Sequence, residues 1–312
     1  MAEQPRGPLR FLLPGWKTEG RADFSPPTPR QRMWRRFQRN PVAMTGSAIV
    51  LLMVATAVLA PWLAPYPPDK QFANGINAVG VPVAPQWRIP GFFLGTDTLG
   101  RDLLSRIIWG ARVSIEVGVL ATALAVGIGV VLGLLAATSG SRASNLLMRL
   151  VDIMMAFPFY LFVMLVVSVV GHASTTVVIV VLGALGWPAI VRMVRGQAVV
   201  IREEDYVMAA IAGGASKLRL MFQHILPNLL PTVLVFSSLT VSGNIMAESG
   251  LSFLGLGVPP PTPSWGQMIS DGLQSYQTAP WILLFPGIAL ALAMLGFNLL
   301  ADGLNEAMKS GS

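Results

Sequence analysis

Apolar residues collect in six stretches that are long enough to cross a bilayer, which takes about 20 residues of helix. They lie near Met44–Leu63, Val113–Ala137, Leu150–Val170, Thr175–Val194, Leu229–Ile245 and Trp281–Ala301. The pattern predicts an all-α integral membrane protein with six transmembrane helices, both termini on one side. Pro158, Pro188 and Pro286 fall inside these runs, where a missing backbone donor predicts kinks. Ala125, Gly129 and Gly133 recur every four residues in the second run, a spacing that lets another helix approach closely in lipid.

The polar segments are patterned too. Between two apolar runs, Glu203–Asn228 keeps a helical rhythm through Val207, Ile211, Gly214, Leu218, Met221, Phe222 and Ile225. Glu203, Glu204 and Asp205 open it, where carboxylates favour a helix N-terminus. Gly213-Gly214 marks a joint and Pro227 a stop. The spacing predicts two short helices with a glycine joint, lying on the membrane surface. In Ala64–Arg112, Asp97 suits a turn and Leu103–Gly110 a short helix entering the second span. The glycines there lack a Gly-Lys-Ser/Thr partner, and Asp97 and Asp102 do not have calcium-loop spacing. In Leu251–Pro280, four prolines precede Trp265, Met268, Ile269, Gly272, Leu273 and Tyr276, whose spacing predicts a short helix at the outer interface.

With 53% hydrophobic and only 12% charged residues, the chain is far from the roughly 25% charged content of soluble domains. It has no cysteine, which removes disulfides and Cys-ligated metals. Its net charge of +7 reports loop topology, not nucleic-acid binding. If the N-terminus is cytoplasmic, 17 Lys and Arg lie inside and five (Lys70, Arg88, Arg101, Arg106 and Arg112) outside. That bias makes both termini and Glu203–Asn228 cytoplasmic. The polar, Pro-rich stretch Met1–Arg39 reads as a largely disordered tail. Its piece Phe11–Leu13 is too short for a signal-peptide core of about 7–15 residues. Arg30, Arg32, Arg35, Arg36 and Arg39 at its end suit anchoring against anionic lipid. Ionisable groups are nearly absent from span centres, with Glu116, Asp152 and Glu248 near span ends. Ion-coupled transporters need such groups mid-membrane, so energy for any transport comes from elsewhere. His172 stands alone in a short outer turn, with no ligand near it for a metal.

Ala209-Ala210, Gly214 and Leu226-Pro227 resemble the coupling ("EAA") loop of ABC importer permeases, with Met208 and His224 at two altered positions. Leu94–Gly110, Asp152–Pro158, Arg192–Gly196, Tyr206–Asn228, Leu251–Met268 and Pro286–Leu304 follow, in order, the C-type permease of dipeptide/oligopeptide (nickel) ABC importers. The resemblance covers about two thirds of the chain and leaves out the N-terminal tail.

The resemblance implies a type I ABC importer permease fold and a non-catalytic, binding-protein-dependent subunit. Its cargo would be short peptides, or glutathione, nickel chelates or another small solute. Implied partners are a homologous second permease, two ATP-binding subunits and an extracytoplasmic substrate-binding protein, in the bacterial cytoplasmic membrane. The contact with the ATPases carries over to Ala209, Ala210, Gly214, Ala215, Ser216, Leu226 and Pro227. No cofactor is expected on this chain, since it lacks a phosphate-binding Gly-x-x-x-x-Gly-Lys-Ser/Thr; ATP and Mg belong to the partners. The corresponding division is residues 1–40 as an N-terminal cytoplasmic tail, 41–112 as first span and outer loop, 113–304 as core with coupling loop 203–228, and 305–312 as a C-terminal cytoplasmic tail. The rival class is an ion-coupled secondary transporter.

Overall fold

Inside a bilayer no water satisfies backbone donors and acceptors, so an apolar run must pair them within itself as helix. The computed structural model describes residues 29–87, 91–171 and 174–309, and the apolar runs within them are helical. In chain order the principal helices are α1 (Pro29–Arg39), α2 (Pro41–Val58), α3 (Leu103–Thr138), α4 (Ser141–Ala156), α5 (Phe159–Val170), α6 (Thr175–Leu185), α7 (Trp187–Arg202), α8 (Asp205–Ala212), α9 (Leu226–Phe253), α10 (Trp265–Leu273) and α11 (Trp281–Lys309), with one-turn helices at Ala60–Leu63 and Ala73–Gly75. A helical turn, Lys217–Arg219, and a π-helical stretch, Leu220–Ile225, lead into α9 without a break. Among the described residues, five segments are long and apolar enough to span, and the bent pair α4–α5 makes a sixth.

Helix α3 is the centre, packed against α2, α6, α7 and α9. Its small residues act as their spacing predicts. Ala125 is fully buried, and a Cβ at Gly129 or Gly133 would lie 2.6 Å or 2.7 Å from the side chains of Ile190 or Val194 on α7. Any side chain at either glycine would force the two helices apart.

The helix directions define two ends. Helices α3 and α7 finish together, with the Arg202 guanidinium donating to the Ala137 carbonyl at 3.1 Å. Helix α2 begins beside the finish of α11, where the Asn40 amide donates to Glu306 at 2.6 Å. At the other end the Trp281 indole opens α11 by donating to the Thr96 carbonyl at 3.1 Å. Helix α1, the start of α2, the finish of α11 and residues 203–228 therefore share one end. Residues 64–87, 91–102 and α10 cap the other.

Several expectations change. The third span is broken by an 85° bend between α4 and α5 at Phe157-Pro158. Pro188 instead sits in the first turn of α7, where a missing N–H is unneeded. The second span starts at Leu103, not Val113, in one 36-residue helix. The last continues past Ala301 to Lys309, through most of the expected C-terminal tail. Part of the expected disordered tail is also ordered: α1 packs Met33 and Phe37 against Ala43, Leu304 and Ala307. Residues 1–28 and His172 lie outside the described residues. Helix α10 occurs where the Trp265 periodicity places it, but of the residues in that periodicity only Trp265, Met268 and Gly272 are buried, while Leu273 and Tyr276 are exposed.

Candidate functional site

The segment after α7 turns sharply and its atoms show why. Helix α8 ends when the Ala215 N–H donates to the Ala210 carbonyl and the Gly214 N–H to the Ile211 carbonyl, both at 3.0 Å. This crossed pair closes a helix C-terminus when the residue past the cap is left-handed. Gly214 is that residue, at φ +78°, in open space. Three of the residues singled out by resemblance, Ala210, Gly214 and Ala215, thus form one turn.

Ser216 then starts the next helix by accepting from the Arg219 N–H at 3.4 Å. The second short helix does not stop at Pro227, as its sequence suggested. Proline cannot donate to a carbonyl four residues back. The π-helical stretch removes the conflict: the Leu226 N–H bonds to Met221, five residues back, and Pro227 falls in the first turn of α9. Such single π turns are frequent at functional sites. Leu226 and Pro227 are half-buried at this root, whereas Ala209, Gly214 and Ser216 are exposed.

The predicted apolar face splits in two. Val207, Met221 and Ile225 are buried, and the latter two join Ala137, Val194 and Leu229 in the bundle core. Met208, Leu218 and Phe222 point outward at 57%, 66% and 47% exposure, beside exposed Tyr206 and Ile211. Sequence periodicity could not separate these sets, because the glycine turn resets the helical phase. It also missed a clasp: the Asn228 amide donates to the Tyr206 hydroxyl and the His224 carbonyl, each at 2.8 Å, tying α8 to the root of α9. His224 contributes here through its backbone.

Further features escaped the sequence. A cleft of about 640 Å³ opens at the α4–α5 break, lined among others by Met154, Phe157, Tyr160, Phe236, Thr240 and Asn244. At the far end, Asp97 is buried and accepts from Arg101 Nε at 2.6 Å and Arg106 Nε at 3.2 Å. It also accepts from the backbone N–H groups of Leu99 and Arg101, each at 2.9 Å. Asp102 caps α3 by accepting from the Ser105 N–H at 2.8 Å. Glu248 is fully buried, not peripheral. It accepts from Ser252 at 2.7 Å and from Ser114 on α3 at 3.0 Å. Among the described residues no group of three or more His, Cys, Asp and Glu is placed to hold a metal.

Comparison with known proteins follows this geometry. Residues 129–311 match the family described as binding-protein-dependent transport system inner membrane component. Residues 28–79 match the N-terminal TM domain of oligopeptide transport permease C. The di/tripeptide transport system permease protein DppC of Pseudomonas aeruginosa is 40% identical over 90% of this chain and 92% of its own. The oligopeptide transport system permease protein OppC of Bacillus subtilis is also 40% identical, over 88% and 87%. The glutathione transport system permease protein GsiD of Pectobacterium atrosepticum is 37% identical over 92% of both. Among solved structures, an inward-facing MetNI methionine ABC transporter matches with a TM-score of 0.51 at 18% identity, covering 65% of this chain and 96% of that one. That last likeness is one of fold.

Proposed function

The chain belongs to the family of binding-protein-dependent transport system inner membrane components, and on that premise we propose that it carries short peptides across the membrane as one permease of an ATP-driven importer. Its fold is the all-α type I ABC importer permease fold. Membership implies a partner ATPase and a substrate-binding protein. The observation that carries the peptide reading is similarity at 40% identity, over 90% and 88% of this chain, to a di/tripeptide permease and an oligopeptide permease. Similarity to a glutathione permease at 37% makes glutathione, itself a modified tripeptide, the second reading.

Of the two ATP-binding subunits, one docks where the chain offers its exposed turn, on the cytoplasmic side with both termini. Ala209, Ala210, Gly214, Ala215 and Ser216 shape that turn, and Leu226 and Pro227 pass its displacement into α9. Met208, Leu218 and Phe222 supply the apolar contact. The buried Met221 and Ile225 make the segment a lever, because a push on the turn must shift the core to which they belong. ATP and Mg bind on the partners, and this chain holds no cofactor. The homologous second permease faces the cleft at the α4–α5 break, which forms this subunit's share of the passage. The cleft lining named above is uncharged, so it accepts varied peptide side chains and leaves recognition of the charged termini to the binding protein.

Reconstitution of the complete importer in liposomes tests this reading. Labelled di- or tripeptide should accumulate only when ATP reaches the ATPases. Uptake that ignores ATP and follows a proton or sodium gradient overturns it. Uptake of glutathione in place of peptides selects the second cargo.

A further inference from the structure

Helix α1 is amphipathic, and its rows of side chains do different work. Met33 and Phe37 face the bundle, on Ala43 and Ala307. Trp34 stacks on Phe37, with ring centroids 5.7 Å apart, yet remains 57% exposed. Trp34 and Gln38, one turn apart, rim an apolar groove of about 370 Å³, whose far wall includes Met44, Leu51 and Leu300. Leu51 is 67% exposed there, on the side of α2 that a bilayer would cover. One step round α1, Arg35 and Arg39 stand four residues apart, so they share a face. Both are exposed, and among the described residues no ion pair includes either. Farther round, Arg36 and Arg39 line a second pocket of about 410 Å³ with Asn40 and Glu306.

We propose that α1 and the first turns of α2 form a binding site for an anionic phospholipid, with the headgroup phosphate on Arg35 and Arg39 and an acyl chain in the groove beside Trp34. Guanidinium forks match phosphate oxygens, and an indole suits the level where headgroups meet chains. Acidic side chains at this end would not draw a phosphate; the Glu306 carboxylate accepts from the Asn40 amide at 2.6 Å and lines the second pocket with Arg39, whereas Arg35 does not line that pocket. A soluble anion would use the arginines but leave the groove empty; a neutral lipid would use the groove but not the arginines. Only an anionic lipid uses both. The site does not depend on the peptide cargo proposed above.

The test uses the full chain, purified in mild detergent and offered vesicle-derived phosphatidylglycerol or phosphatidylcholine, with retained lipid counted by native mass spectrometry. Phosphatidylglycerol should be retained preferentially. Each basic residue near an anionic surface contributes about 1 kcal/mol, or roughly fivefold, so Arg35→Gln with Arg39→Gln should cut the preference by about 25-fold. Leu51→Ser should weaken both lipids and keep their ratio, while inorganic phosphate at millimolar concentration should not displace the lipid. Thermal unfolding monitored in parallel confirms that each variant is folded. Equal retention of the two lipids, a preference unchanged in the double variant, or displacement by inorganic phosphate overturns the proposal.

Discussion

At one end of the bundle Asp97 is buried between Arg101 and Arg106; at the other, Met208, Leu218 and Phe222 stand exposed beside a left-handed glycine. The first region holds its buried arginines against a buried carboxylate. Asp97 collects two guanidiniums and two backbone donors, Thr96 bridges Gly75, Val83 and Trp281, and Trp265 donates to Ile107. One buried oxygen there, Asp102 Oδ1, has no hydrogen-bond partner among the described residues. The second region presents an apolar surface that water disfavours, carried on one turn and rooted in the core. Exposed apolar patches of this kind mark interaction sites. A frame braced by buried charges opposite an exposed lever suits a gate driven from one side.

Breaking the frame should have the largest effect. Asp97→Ala leaves two guanidiniums buried without their carboxylate, and removing one partner of a buried pair costs about 3–5 kcal/mol. Thermal unfolding of the purified permease in detergent should show a large loss. An unchanged midpoint would mean that the ion pair is ornamental and the contrast between the ends false.

The next variant strikes the lever. Gly214→Asp puts an L-residue at φ +78°, a cost of about 1–2 kcal/mol, but the space around it is open. The bundle should remain folded while co-purification of the ATPases and ATP-driven uptake fall to background. Wild-type uptake would remove this turn from the mechanism.

Smaller effects sharpen the comparison. Asn228→Ala unties Tyr206 and should cost about 1 kcal/mol, with ATP-driven uptake impaired more than the unfolding midpoint suggests. Phe222→Ser should change stability by less than about 0.5 kcal/mol, as surface substitutions do, yet weaken ATPase binding in a pull-down. If stability and binding drop together, Phe222 belongs to the core and not to a docking surface.

The smallest is a pH effect at the frame. Burial raises the Asp102 carboxyl above the ordinary aspartate range, against the hydrogen bonds from Ser105. The folded state therefore favours the protonated form. This contribution is complete below the ordinary aspartate value and is lost as pH rises through the raised one. Asp102→Asn keeps a capping oxygen and should flatten that slope in melting curves taken from acid to neutral pH. A slope identical to wild type would place the titration elsewhere.

Particular residues show what could be read in advance. The Ala125, Gly129 and Gly133 spacing announced a close helix contact, because close approach in lipid depends on small side chains at fixed intervals; that the partner is α7 was decided by packing. Pro158 announced a kink, although its 85° size needed the packing of α4 and α5. Pro227 misled, since a π-helical stretch absorbed its missing donor. Asp97 read as a turn residue because its turn is local, while the approach of Arg106 is not. Of the seven residues assigned by resemblance, the chain brings Ala210, Gly214 and Ala215 into one hydrogen-bonded turn. Leu226 and Pro227 sit beyond Lys217–Arg219 and the π-helical stretch, at the root of α9.

Hydropathy by itself determined that this chain crosses a membrane and roughly where, because the choice between water and lipid is made residue by residue over short stretches. Charge partners and the phase of each helix were decided only in three dimensions. Glu248 meets Ser114 across 134 residues of chain, and Asn228 meets Tyr206 across 22. Contacts closed over such distances depend on how helices pack, which no local pattern encodes.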